Sequence, residues 1–230
     1  MTRRARNGSL RLLLLVVMSG LSLAACGAPE TSRHEAEPVA LFDGATLDGW
    51  ECFLTEEGAA LADVWSVENG VLVCRGEPGG YLRSTAEFQD FQLVVEWRWP
   101  EEPGNSGVLL RIAGDEEQML PPCAEAQLRS GNAGDMYGFQ DFRISGPQER
   151  LSEIGLPGWK LARAVDAEKP PGEWNRYEIT ANGGSITLRL NGTVVNAASD
   201  CDVRPGNIGL QSEGGVVHFR RVELTPLDEV

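Results

Sequence analysis

The chain has 230 residues, 42% hydrophobic and 23% charged, and carries 34 Asp+Glu against 20 Lys+Arg for a formal net charge of −14. An acid excess of this size repels nucleic acid and anionic lipid, whose recognition needs clustered Lys and Arg, and leaves a neutral partner such as a sugar as the better fit. With 27 Gly and 13 Pro, turns are frequent, and the length suits one sizeable core.

The first 25 residues place Arg3, Arg4, Arg6 and Arg11 before an apolar run, LLLLVVM, that ends in small residues. This is the pattern of an export signal, too short for a membrane span. Its ending, LAAC, resembles a bacterial lipobox, which makes Cys26 the expected lipidated first residue of a mature, membrane-anchored protein in the cell envelope. Cleavage near Ala25 without lipidation is the alternative. Arg3-Arg4 hints at a twin-arginine signal, but the apolar residues expected directly after such a pair are missing. Loss of residues 1–25 lowers Lys+Arg from 20 to 16 against 34 acids, a net charge of −18. Residues 26–39, small, polar and proline-bearing, read as a flexible tether, and residues 40–230 as one domain.

From residue 41 the signals are those of strands and turns. WSVENGVLVC sets Asn69-Gly70 between two apolar runs, and ITANGGSITLRLNGTVV holds two more Asn-Gly pairs; each favours a tight hairpin by accepting positive φ. Alternation with period two recurs in FQLVVEWRW, GVLLRI, SITLRLNG and VVHFRRVEL. Helical periodicity is absent over any long window. Turns about every ten residues give the rhythm of a β-sandwich of two antiparallel sheets. Residues 145–172, rich in Gly, Pro and charge, read as a long excursion of the kind that is often functional. In AEAQLR, residues 124–129, strand alternation places Glu125, Gln127 and Arg129 on one face.

Cysteine, histidine and glycine usage narrows the chemistry. Cys52, Cys74, Cys123 and Cys201 permit two disulfides in three connectivities in an exported chain, and no CxxC spacing argues for zinc. The two histidines, His34 and His218, are too few for a two-histidine metal site or a hydrolytic triad without His218 standing alone. No glycine pattern cradles phosphate or dinucleotide. No cofactor is expected, and the need for a divalent metal stays open. The acidic run Asp115, Glu116 and Glu117 could hold Ca²⁺ but reads better as solvated charge.

Several strings can be set against a family in order: LFDGATLDGW (41–50), WSVENGVLV (65–73), GNSGVLLR (104–111), EAQL (125–128), GDMYG (134–138), KPPGEWNRYEI (169–179), LNGTVV (190–195) and GNIGLQSEGGVVHFRRVEL (206–224). Over roughly residues 40–226 they closely resemble the 3-keto-disaccharide hydrolase family, also described as a 3-keto-glucoside 1,2-lyase/3-keto-2-hydroxy-glucal hydratase domain. The resemblance implies an all-β, concanavalin-like jelly-roll sandwich acting on glycosides whose C3 hydroxyl has been oxidised to a ketone.

A pair of carboxylates is the usual equipment for glycoside hydrolysis, and this strand offers one. A 3-keto sugar needs only one base, because the ketone acidifies the C2 hydrogen and donors can hold the developing oxyanion. Glu125 is the expected base, with Arg111, Gln127 and Tyr137 as candidates for holding the keto oxygen or protonating the leaving group. Gly107 would leave room for a ligand beside the sheet, or mark a bulge. Asn105 and Ser106 are candidates for sugar hydroxyls or plain turn residues; Trp159 and Lys169 could reach a site from the long loop. Trp50, Trp65, Trp97, Trp99 and Trp174 read as core. Lyase, hydratase and hydrolase readings stay open, beside a non-catalytic carbohydrate-binding module and a structural envelope lipoprotein.

Overall fold

The computed structural model describes residues 36–114 and 118–227. The leader, Cys26, His34 and the acidic run Asp115–Glu117 lie outside these residues. Among the described residues sixteen strands form two antiparallel eight-stranded sheets. The first sheet holds β1 (Val39–Phe42), β3 (Trp65–Glu68), β4 (Val71–Cys74), β6 (Phe91–Arg98), β12 (Asn175–Asn182), β13 (Ser185–Leu190), β14 (Thr193–Ala198) and β16 (Val217–Pro226). Its order is β14-β13-β12-β6-β16-β4-β3, with β1 also on β16. The second holds β2 (Trp50–Leu54), β5 (Gly80–Phe88), β7 (Gly107–Ile112), β8 (Cys123–Gln127), β9 (Met136–Phe139), β10 (Leu151–Glu153), β11 (Gly158–Leu161) and β15 (Gly206–Ser212), in the order β10-β11-β9-β8-β7-β15-β5-β2. The expected all-β jelly-roll of two antiparallel sheets is what the chain adopts. The one helix among the described residues is a single turn, Leu61–Val64.

Alternation decides which face of each strand is buried. In β6, Phe91, Leu93, Val95 and Trp97 are fully buried while Gln92 is exposed. Across the second sheet, Leu82, Leu210, Val108, Ala126, Met136 and Leu161 follow one another in register on the inner face. The core between the sheets is heavy in aromatics: Trp65, Trp97, Trp99, Phe91, Tyr177 and Phe219 are all buried. Removing a side chain such as Phe91 or Phe219 from water contributes about 1.5–3 kcal/mol before entropy is set against it. Trp50 belongs to this core as expected, but Trp174 does not; it lies on the outer face of the first sheet, between guanidinium groups.

Two of the three Asn-Gly pairs make hairpins with both residues left-handed: Asn69 and Gly70 at φ 52 and 80, Asn191 and Gly192 at φ 50 and 85. Those values are what a two-residue turn matched to strand twist requires. The third, Asn182-Gly183, turns with positive φ at Gly183. The excursion over 145–172 contains a hairpin of its own, β10 and β11, which extends the second sheet past β9.

Candidate functional site

A cleft of about 240 Å³ opens on the outer face of the second sheet, lined by Asn105, Leu120, Glu125, Gln127, Arg129, Tyr137, Phe139, Ile154, Gly155, Leu156 and Glu213. Register explains the assembly. Leu109 pairs with Glu125, Glu125 with Tyr137, and Tyr137 with Lys160, so β7, β8, β9 and β11 present one continuous outward row. The next row sets Gly107 opposite Gln127. Arg129, two residues past the end of β8, keeps the same facing and lines the cleft with Glu125 and Gln127.

Glu125 is 1% exposed, and its Oε1 has no hydrogen-bond partner among the described residues. Burial pushes its carboxyl well above the usual carboxylate range, and the negative charges of Glu213 and Asp135 push in the same direction. The carboxyl lies over Gly107, where a Cβ would come within 2.7 Å of its Cγ and Cδ and closer still to Oε1. The space that Gly107 opens is therefore filled by the protein's own acid rather than left for a ligand. On the far side of Gly107, beyond the Leu210–Val108 pair, stands Gln211, fully buried, with both side-chain polar atoms lacking a partner among the described residues.

Two groups flank this carboxyl in the cleft, and a third stands behind Tyr137 on the next strand. Gln127 accepts a hydrogen bond from the Arg129 backbone N–H at 2.7 Å through Oε1, which leaves its Nε2 as a donor. Tyr137 stacks on Phe139, centroids 5.6 Å apart and planes 12° from parallel, giving the cleft an aromatic wall. The Lys160 ammonium lies 5.6 Å from the Tyr137 ring centroid and bonds Asp135 Oδ2 at 2.7 Å. Asp135 is nearly buried and also accepts from the Arg163 backbone N–H at 2.8 Å. Burial opposes the Lys160 charge, but the hydrogen bond and charge of Asp135 hold the ammonium above its ordinary pKa. Burial raises the Tyr137 phenol while Lys160, by charge and hydrogen bond, pulls it back.

The rim comes from two loops tied together where the Asn105 backbone N–H donates to Gly214 O at 2.7 Å. Glu213 is exposed as a residue yet lines the cleft, where burial of its carboxyl raises its pKa and Arg129 and Asn105 lower it. It is a second acid in the cleft, from a segment distant in sequence. Neither it nor the Lys160–Asp135 pair stands among the residues expected from sequence. Asp135, Tyr137 and Phe139 do share a period-two spacing, a signal for Asp135; the register that brings Lys160 to Tyr137 has no such trace.

The other expected residues go elsewhere. Arg111, expected beside Glu125, turns to the far end of β7, where its φ of 55 ends the alternation. Its fully buried guanidinium donates to Gln89 O, Asp202 O, Gly183 O and Asp90 Oδ1 at 2.6–3.1 Å. Arg129 supplies the cleft's guanidinium instead. Ser106 is buried, donating its hydroxyl to Gln211 O at 2.7 Å. Trp159 pairs with Gly138, one pleat away from Tyr137, and so faces the opposite side of the sheet from the cleft. Lys169 donates to Trp174 O and lines a different cavity, on the first sheet. Cys52, Cys74, Cys123 and Cys201 are all free thiols. Among the described residues no group of three or more His, Cys, Asp or Glu side chains is placed to hold a metal ion.

A jelly-roll with an acid-bearing cleft on one outer sheet face defines a concanavalin-like sandwich. Over residues 37–225 the chain matches the 3-keto-alpha-glucoside-1,2-lyase-like domain, and it belongs to that family. Membership makes it a carbohydrate-acting protein of the glycosyl-hydrolase-like kind. The fold is shared with a provisionally assigned glycosyl hydrolase from Parabacteroides distasonis, at 22% identity and a TM-score of 0.62 over 83% of this chain and 94% of that one. It is shared also with a carbohydrate binding module from Bacillus subtilis, at 15% identity and a TM-score of 0.53 over 76% and 94%. The Bacillus licheniformis beta-glucanase gives 11% identity and a TM-score of 0.54 over 85% and 100%. No curated protein matches the sequence.

Proposed function

We propose that this protein cleaves 3-keto-glycosides by elimination across C1 and C2, with Glu125 as the base. The observation that carries the reading is a buried carboxyl with an unpartnered Oε1 in a cleft that also presents Gln127, Arg129 and Tyr137. A raised pKa makes a carboxylate a stronger base, as abstraction of a weakly acidic C–H requires.

The ionised Glu125 takes the C2 proton, and the C–H electrons move into an enolate with its charge on the C3 oxygen. Gln127 Nε2 and the Arg129 guanidinium are the donors for that oxygen. The enolate then re-forms the ketone, a C1–C2 double bond appears, and the aglycone oxygen leaves from C1 with the proton of the Tyr137 hydroxyl. Lys160, fixed by Asp135, stabilises the phenolate that results. Hydration of the unsaturated keto sugar would run the same proton back to C2.

One observation favours a binding module instead: the stacked Tyr137–Phe139 wall beside Leu120, Ile154 and Leu156 is a surface on which a sugar ring can lie without any reaction. Glu125→Gln separates the two. The purified protein is incubated with a 3-keto disaccharide and products are followed over time. The elimination reading expects a transient unsaturated keto sugar from wild type, with turnover lost and binding kept in the variant. Binding without turnover in wild type itself makes the protein a module. We propose further that the chain is exported and anchored through a lipid on Cys26; labelled palmitate entering wild type but not Cys26→Ser is the expected result.

A further inference from the structure

A larger cavity, about 360 Å³, lies on the outer face of the first sheet, lined by Glu96, Lys169, Trp174, Asn175, Arg176, Asn191, Gly192 and Arg220. Its charge runs against that of the chain, with three cations to one carboxylate in a protein of net charge −14. That carboxylate is taken: Glu96 pairs with Arg176 at 3.0 Å and Arg220 at 2.6 Å. Donors remain in surplus. Arg220 spends only Nε on Glu96, and among the described residues its two Nη groups make no hydrogen bond. Lys169 Nζ makes one bond, to Trp174 O at 3.1 Å. Asn175 is 1% exposed, and its Oδ1 accepts from the Lys169 N–H and from Asn191 Nδ2, both at 2.8 Å. That fixes the amide so that Nδ2 is left without an acceptor. Trp174 holds the wall in place, with Arg220 at 4.4 Å and Arg98 at 4.7 Å from its ring centroid.

We propose that this cavity is a second saccharide site, selective for a sugar bearing a carboxylate. A neutral sugar offers hydroxyls that need acceptors as well as donors, and the cavity supplies almost only donors. A carboxylate is acceptor-only and matches a guanidinium in two-point geometry. The volume falls in the range of organic-ligand pockets, roughly 300–1,000 Å³, and exceeds what an inorganic anion fills. A long polyanion is disfavoured, because charge beyond about 10 Å from the cavity is again that of an acidic protein.

Calorimetric titration of the purified protein with digalacturonate, its dimethyl ester and sodium sulfate tests the assignment. Digalacturonate is expected to bind, the ester about tenfold or more weakly, with affinity falling as salt rises. Arg220→Gln, with an unchanged melting temperature, is expected to weaken binding about tenfold, and Arg220→Lys less. Glu125→Gln is expected to leave digalacturonate binding intact, since its carboxyl lies on the other sheet. Equal affinity for acid and ester, no binding, or binding indifferent to Arg220→Gln overturns the proposal. Sulfate bound as tightly as digalacturonate overturns the saccharide assignment, and loss of binding in Glu125→Gln places the ligand in the cleft.

Discussion

Glu125 and Gly107 form a unit in which one residue's missing side chain houses the other's carboxyl. Gly107→Ala forces the carboxyl aside. The displaced atoms include Cγ as well as the carboxyl of a side chain that is 1% exposed, so stability falls too, and a misplacement of about 1 Å is worth roughly a hundredfold in rate. The expected result is a kcat per folded molecule on a 3-keto disaccharide lowered about a hundredfold, with Tm lowered as well. Burial also fixes the sign of a pH effect. The folded-state pKa of Glu125 is raised, so the fold binds a proton there that the unfolded chain has released. The site's contribution is then greatest below the unfolded value near ~4.3 and is lost as pH rises toward the folded one. Glu125→Gln removes the penalty. Thermal melts should show the variant gaining on wild type as pH increases from about 4 to 8, by about 2–4 °C for each kcal/mol relieved; a constant difference across that range contradicts the burial argument.

At the scale of elements, a period of two was enough to put Glu125, Gln127 and Arg129 on one face and Leu93, Val95 and Trp97 on another, because alternation is a property of a single strand. Alternation fails where the backbone leaves the strand region. Arg111 shares the string GVLLRI with Leu109, but its left-handed φ turns it away from Leu109's face, and no residue in the string announces that break. There it closes the end of the sandwich through four hydrogen bonds. Arg111→Met leaves Asp90 and three carbonyls without their partner, and costs about 3–5 kcal/mol. Urea unfolding should record that loss while kcat per folded molecule is kept, the opposite of what a residue on the keto oxygen would give. Lys160 and Glu213 were illegible for a different reason. Lys160 reaches Tyr137 through the β9–β11 pairing, and Glu213 arrives on a loop tied to another loop; neither relation has a spacing.

Across the whole molecule the two outer faces differ in chemistry: the cleft gathers acids around an aromatic wall, and the cavity on the first sheet gathers cations. Stability does not rest on covalent links. All four cysteines in the domain are thiols, and burial lifts those of Cys52, Cys74 and Cys201 to about 11, which leaves little thiolate to react. Reductant should therefore leave Tm unchanged, and a thiol reagent should modify the native protein slowly and the unfolded protein at all four sites. A fall in Tm with reductant would reveal a disulfide. The amino-acid sequence by itself determined the class of fold, the turns at Asn69-Gly70 and Asn191-Gly192, the aromatic core and the facing of Glu125, because each follows from steric rules acting over a few residues. Only the tertiary structure decided which groups gather around that strand. Lys160, Asp135, Glu213 and Gln211 are brought near by strand register and loop packing, and those are settled by burying the whole inner face at once rather than by any local preference.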